Sequence, residues 1–206
     1  MKFEISSDGL TALASVGACA STQDNLAHLT GVYIVADHSG IESAATDRFR
    51  LAVIRFFDGA NGLKVLSEGS VLIPAKELQR VAKAHSKARG LTVTVSEDGE
   101  FLTVADRENS TTIRTLKGFS FPDRYRDLLP AYGPEGNPEP CGTAKLNVEY
   151  LATLAKLKPW LGLLKPSGDA SNHWRVFPGK SGKPWLYTWE YAGVSAEFLL
   201  MPIRNN

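Results

Sequence analysis

The sequence predicts an α+β fold assembled from one unit used three times. Two observations carry this. Runs with a two-residue apolar alternation are separated by runs with a helical period, always in the order strand, helix, several strands. Glycine, proline and short polar clusters fall between these runs rather than inside them. In the first unit, Lys2 to Ser6 alternates as a strand. Ser7 or Asp8 can cap a helix that runs to about Ala20 and places Leu10, Leu13, Ala14 and Gly17 on one face. Strands follow over Val32–Ala36 and Ile41–Phe57, separated by His38-Ser39-Gly40.

The second unit opens on the strand Ser70–Ile73. Pro74 then stands at a helix start, where its missing N–H costs nothing. That helix is expected to run to about Ala88 and to stop at Gly90. Leu91–Val95, Phe101–Ala105 and Thr111–Leu116 read as strands, with a turn at Glu97-Asp98-Gly99. Residues 131–143 carry three prolines and three glycines and read as a linker. The third unit begins with a strand at Ala144–Asn147 and a helix at Val148–Lys158 that stops at Pro159. Trp174–Pro178, Pro184–Tyr191 and Ser195–Met201 are its strands. The expected division is one complete domain over 1–130 (units of about 1–68 and 69–130), a linker, and a third unit over 144–206.

A chain of 206 residues can bury a real core. The net charge of +1 argues neither for nor against nucleic acid, so any electrostatic footprint must be local. Cys19 and Cys141 are far apart and lack metal-type spacing, which reads as two reduced thiols in a cytosolic protein. The first residues do not form a signal peptide. No stretch approaches the ~20 apolar residues of a membrane span.

One local footprint stands out. Lys76, Arg80, Lys83 and Lys87 are spaced 4, 3 and 4 and fall on one stripe of the second helix. Leu78, Val81, Ala82 and His85 occupy the opposite face, and Arg89 extends the charge. Glu77 is the only acid in this helix. Such a stripe suits phosphate contact without base reading, which is sequence-independent and weakens with salt. An ordinary solvated face, with Lys87 and Arg89 favoured by the helix dipole, is the competing explanation. The first helix carries no Lys or Arg from Asp8 to Asn25. The third offers Lys156 and Lys158, about 200° apart around the axis.

Three further segments carry a resemblance. They are A-A-T-D-R-F-R-L-A (Ala44–Ala52), F-P-D-R-Y-R-D-L-L-P (Phe121–Pro130) and F-L-L-M-P-I-R (Phe198–Arg204). With S-V-L-I-P-A-K-E-L-Q-R (Ser70–Arg80) and A-K-L-N-V-E-Y-L-A-T-L (Ala144–Leu154), they resemble segments of the bacterial DNA polymerase III β sliding clamps, in the family's order. The resemblance implies a DNA-clamp fold, with helices lining a channel and sheets outside. It implies a cytoplasmic ring that encircles double-stranded DNA, tethers a DNA polymerase, is placed by a clamp loader and needs no cofactor. Family members have three domains of two repeats, whereas this chain reads as one and a half. It resembles a compacted clamp of the kind expected of a bacteriophage or other mobile element. Four chains would complete a ring of twelve repeats. An odd number per chain favours flipped neighbours and dihedral symmetry.

Carried over by motif, the partner-peptide pocket comprises Thr46, Arg48, Phe49, Arg50 and Leu51, then Pro122 and Arg126, then Leu199, Leu200, Met201, Pro202 and Ile203. The alternative for Leu51, Leu199 and Met201 is a plain strand core. Arg50, Arg126 or Arg204 could hold a peptide backbone or a carboxylate. The family pattern has a small residue and an imidazole where Arg48 and Phe49 stand, and Arg124 or Tyr125 is an extra residue. Whether the pocket forms within one chain or between two is left open by the sequence.

An enzyme would have to use His38 with Asp37 or Asp47, or His173. No histidine has a metal-ligand partner at i+4, and neither a phosphate-binding glycine loop nor a Gly-x-Ser-x-Gly elbow is present. The expectation is a non-enzymatic protein without metal or cofactor, with Asp47 a structural acceptor. The competing function is a decoy or adaptor that binds replication or transcription proteins without encircling DNA.

Overall fold

Lys2 and Glu4 point to solvent while Phe3 and Ile5 are buried, so β1 (Lys2–Ile5) is a half-buried strand as its alternation requires. It does not pair within its own unit's sheet. The computed structural model, which describes residues 1–122, 124–127, 147–157, 174–177, 183–191 and 193–202, places β1 between β5 (Lys64–Ser67) and β7 (Leu91–Val95). With β8 (Phe101–Ala105) and β9 (Ser110–Arg114) these form a five-stranded antiparallel sheet, β5-β1-β7-β8-β9.

The opening strand of the second unit makes the reverse exchange. β6 (Gly69–Pro74) pairs with β2 (Gly31–Asp37) and joins the first unit's sheet. The first unit thus lends β1 and β5 to the second unit's sheet and the second lends β6 to the first's, so neither can be removed without opening the other's sheet. The second sheet continues through β3 (Gly40–Thr46) and β4 (Arg50–Phe57) into strands from the far end of the chain. Its order is β10-β11-β12-β4-β3-β2-β6. Here β10 is Arg175–Phe177, β11 Trp185–Tyr191 and β12 Val194–Leu200.

Helix α1 (Ser7–Ser15) is capped by Ser6, whose Oγ accepts the Gly9 N–H at 3.0 Å. The cap falls one residue earlier than the sequence suggests. The helix does not continue to Ala20 but tightens into a 3-10 turn at Val16–Cys19. There the Ser15 hydroxyl bonds the Ala12 carbonyl, and Gly17 brings the chain against α2 (Ala75–Ala84). A Cβ on Gly17 would stand 2.9 Å from Gln79 Nε2 and 3.2 Å from Ala75 Cβ. Almost all of α1 is buried; Asp8 is its one fully exposed residue.

Helix α2 ends at Ala84, not near Ala88. His85, its C-cap, is 3% exposed and held by two partners. Its Nδ1–H donates to the Asp106 carboxylate at 2.9 Å, and Nε2 hydrogen-bonds the Thr111 hydroxyl at 3.0 Å. That fixes the helix end to the β8–β9 hairpin, and residues 86–88 turn away. In the third unit, the expected helix over Val148–Lys158 is one α-helical turn, α3 (Val148–Leu151), followed by a 3-10 helix at Ala152–Lys156. The strand expected at Ala144–Asn147, apart from Asn147, and the whole linker lie outside the described residues.

Two other expectations need correcting. Ile41–Phe57 is a hairpin of two strands rather than one, because Asp47-Arg48-Phe49 form a turn. The strand β5 was not anticipated, since its alternation is weak and most of it is exposed. Phe3, Leu10, Leu13, Ile54, Leu78 and Phe198, from all three units, belong to one core between the helices and the sheets. Cys19 lies in that core as a free thiol, and burial pushes its pKa up to about 12. Among the described residues, no helix is long and apolar enough to cross a membrane.

Candidate partner pocket and candidate DNA-facing helix

The A-A-T-D-R-F-R-L-A segment is a strand, a turn and a strand, and its polar residues build the turn. Asp47 Oδ1 accepts the Phe49 and Arg50 N–H groups at 3.0 and 2.8 Å. Thr46 Oγ1 accepts the Arg48 N–H at 3.2 Å while donating to the Arg50 carbonyl at 2.6 Å. These bonds hold Arg48 at φ 79°, the only left-handed non-glycine among the described residues. Asp47 Oδ2 also accepts Arg50 Nε–H and Nη2–H, at 3.0 and 2.6 Å.

Strand β12 docks along this hairpin. It pairs antiparallel with β4 from Val194↔Phe56 to Leu200↔Arg50, and the Met201 N–H reaches the Phe49 carbonyl at 2.9 Å. This register puts Leu51 beside Leu199 on the sheet's outer face and turns Leu200 inward. The third unit adds a second tie. Arg50 Nη1 donates to the Thr153 hydroxyl at 2.7 Å, its guanidinium lies 4.6 Å from the Tyr150 ring centroid, and Phe49 stacks on Tyr150 at 6.2 Å.

The segment around Phe121 closes the site from the outer side. Phe121 stacks on Tyr33 at 5.3 Å and meets Tyr125 edge-on at 5.3 Å. Tyr125 and Arg126 both donate to Glu42, which also takes Arg55; Arg55 in turn reaches Glu197. Burial first, then the Glu42 hydrogen bond and charge, holds the Tyr125 phenol well above its ordinary range. Desolvation pulls the Arg55 pKa down, but Glu197 and Glu42 outweigh it and raise the net value.

Together these segments enclose a cavity of about 410 Å³. Thr46, Arg48, Phe49, Arg50, Leu51, Pro122, Leu199 and Met201 line it, all named from the sequence. The other expected members divide four ways. Arg126 is engaged with Glu42, and Leu200 faces the core. Pro202, half-buried, is not on the lining; Ile203 and Arg204 lie outside the described residues. His28, Leu29, Arg124, Tyr125 and Pro184 line the cavity and were missed. The two-residue alternation that puts Leu199 and Met201 on one side of a strand is a signal that could have excluded Leu200. His28 and Leu29 come from a 3-10 segment with no motif to mark it. All thirteen lining residues belong to this one chain.

On α2, Lys76, Arg80 and Lys83 are exposed, and Leu78, Val81 and Ala82 are buried. Lys87 and Arg89 are exposed but lie beyond the helix, so the stripe on the helix itself is three residues long. Arg80 is paired with Glu77 at 2.8 Å. Lys156 is exposed at the end of its 3-10 helix, and Lys158 lies outside the described residues.

Comparison with known proteins places this geometry. Residues 5–123 match the family described as the DNA polymerase III beta subunit, central domain. The beta sliding clamp homolog GriR of Streptomyces muensis is 33% identical over 119 residues, covering 58% of this chain and 31% of the relative. The beta sliding clamp of Streptomyces coelicolor is 32% identical over 123 residues, covering 58% and 32%. The chain thus matches about a third of the length of these curated relatives. Among solved structures, a DNA polymerase sliding clamp from Pseudomonas aeruginosa with ligand superimposes with a TM-score of 0.71 at 14% identity, over 100% of this chain and 67% of that one. A DnaN sliding clamp from the same organism bound to griselimycin gives 0.72 at 15%, over 100% and 66%. The expected α+β clamp fold is present along the chain, and the chain belongs to the DNA polymerase III beta subunit family, the bacterial sliding clamps.

Proposed function

We propose that the protein is a DNA sliding clamp, a ring that encircles duplex DNA without reading its sequence and tethers a DNA polymerase by a peptide seated in the cavity. The observation that carries this reading is the convergence of three distant segments on one apolar-floored cavity. Leu51, Leu199 and Met201 form its floor and Phe49 stands open at its edge, 54% exposed. Each apolar side chain that a peptide buries there contributes about 1.5–3 kcal/mol. Met201 can repack around different ligands. Lys76 and Lys83 on α2 serve as weak phosphate contacts that let the ring move. Three units per chain lead to a homotetramer of twelve units with dihedral symmetry. A loader places it on DNA.

Primer extension on a long single-stranded template tests the tether. The protein should lengthen the products of a bacterial replicative polymerase, and Met201→Glu with Phe49→Ala should abolish the gain while leaving assembly mass unchanged. Full extension by that variant contradicts the site. Mass measurement in solution tests the ring, and a stable monomer or trimer contradicts the tetramer.

A second reading rests on a specific observation. Helix α1 is buried almost all round and offers only Asp8 fully to solvent, and Arg80 is already paired. A surface this sparing in positive charge also suits an adaptor that uses the pocket without encircling DNA.

A further inference from the structure

Three arginines and a histidine reach the cavity, and among the described residues no acid lines it. The cations differ in what they already hold. Arg50 is engaged on all sides by Asp47, Thr153 and Tyr150. Arg126, the other cation the motif suggests, points to Glu42 and not into the cavity. Arg48 and Arg124 are exposed at the rim and have no side-chain partner among the described residues.

Arg48 adds an observation independent of charge. Its backbone is left-handed, a conformation that glycine adopts freely and that strains any residue with a Cβ. Two neighbouring side chains, Thr46 and Asp47, supply the bonds that hold the turn. The turn would form as well around glycine, yet a guanidinium stands there, on the cavity's edge.

We infer that the pocket selects a peptide whose apolar anchor is flanked by acidic side chains, with Arg48 and Arg124 as the residues that determine this preference. The inference rests on the cavity's being a peptide site. The apolar floor takes the anchor, and the two guanidinium groups take carboxylates by charge-assisted hydrogen bonds. The apolar floor also favours a peptide over nucleic acid, since a phosphate backbone has nothing to bury there.

Fluorescence anisotropy on the intact protein tests this with three labelled nonapeptides, all amidated at the C-terminus. They share a Leu-Ile-Leu centre and differ only in flanks of Asp, Ser or Lys. The Asp peptide should bind about fivefold tighter than the Ser peptide at low salt, as two exposed ion pairs provide. The Lys peptide should bind weakest, and the spread should shrink as salt rises. In the double variant Arg48→Gly, Arg124→Ala the Asp-to-Ser ratio should fall to one, whereas Lys64→Ala, on β5, should keep it. Equal binding of the Asp and Ser peptides overturns the charge preference and leaves the pocket standing. Failure of all three peptides at millimolar concentration overturns the pocket reading and the inference with it. Displacement of the Asp peptide by a short DNA duplex overturns the inference by making the rim a phosphate contact.

Discussion

The cavity at the β3–β4 turn and the basic face of α2 are built in opposite ways. The cavity takes side chains from five separated segments and depends on the β4–β12 register, which fixes which residues of β12 face out. Two of its lining groups are already engaged from behind, Arg50 by Asp47 and Tyr125 by Glu42. The α2 face takes three cations from one helix, and among the described residues only Arg80 has a partner. A site assembled from distant segments can be damaged from the core outward. A site on one exposed helical face can be rewritten without touching the fold.

The largest effect should come from the core beneath the cavity. Phe198 is fully buried, packs on Tyr187 at 5.7 Å and sits in the strand that sets the register. Phe198→Ala should cost about 3–5 kcal/mol in chemical denaturation and remove peptide binding with it. Next is the charge network that ties the 121–126 segment to the sheet. Glu42→Ala leaves Arg55 with Glu197 alone and strips Arg126 and Tyr125 of their acceptor, at a cost of about 1–3 kcal/mol.

The same network carries a pH dependence. The folded-state pKa of Tyr125 lies above its ordinary 10.0, so its contribution is complete below that value and is lost as pH rises through the folded-state pKa. Wild-type stability should therefore decline in alkaline denaturation series, and Tyr125→Phe should flatten the decline. Tyr187, also raised by burial, leaves a residual slope. The smallest effect on stability belongs to the helix. Lys76→Glu with Lys83→Glu should shift it by no more than about 0.5 kcal/mol, yet abolish clamp-dependent DNA synthesis. A large loss of stability in that variant would erase the contrast between the two regions.

How much was legible follows the same divide. The strands β7 and β8 appear where the alternation places them, because their inward residues Val93, Leu102 and Val104 meet one core. The buried face of α2 was readable from period alone, His85 included. The end of α2 was not, since it is set by Asp106 and Thr111, which lie 21 and 26 residues away. The exchange of β1 and β6 between sheets is a choice of partner, and a strand's own pattern cannot state it. Eight cavity residues were named through motif. The pairing of Arg50 and Arg126 was not legible, because it depends on Asp47, Thr153 and Glu42 in three dimensions.

The most direct test of the central claim is retention on DNA of defined topology. Loaded onto nicked circular duplex, the protein should remain bound through gel filtration at moderate salt, and a single restriction cut should release it. Release from circular and linear DNA alike, or equal retention on both, would contradict a ring that encircles DNA.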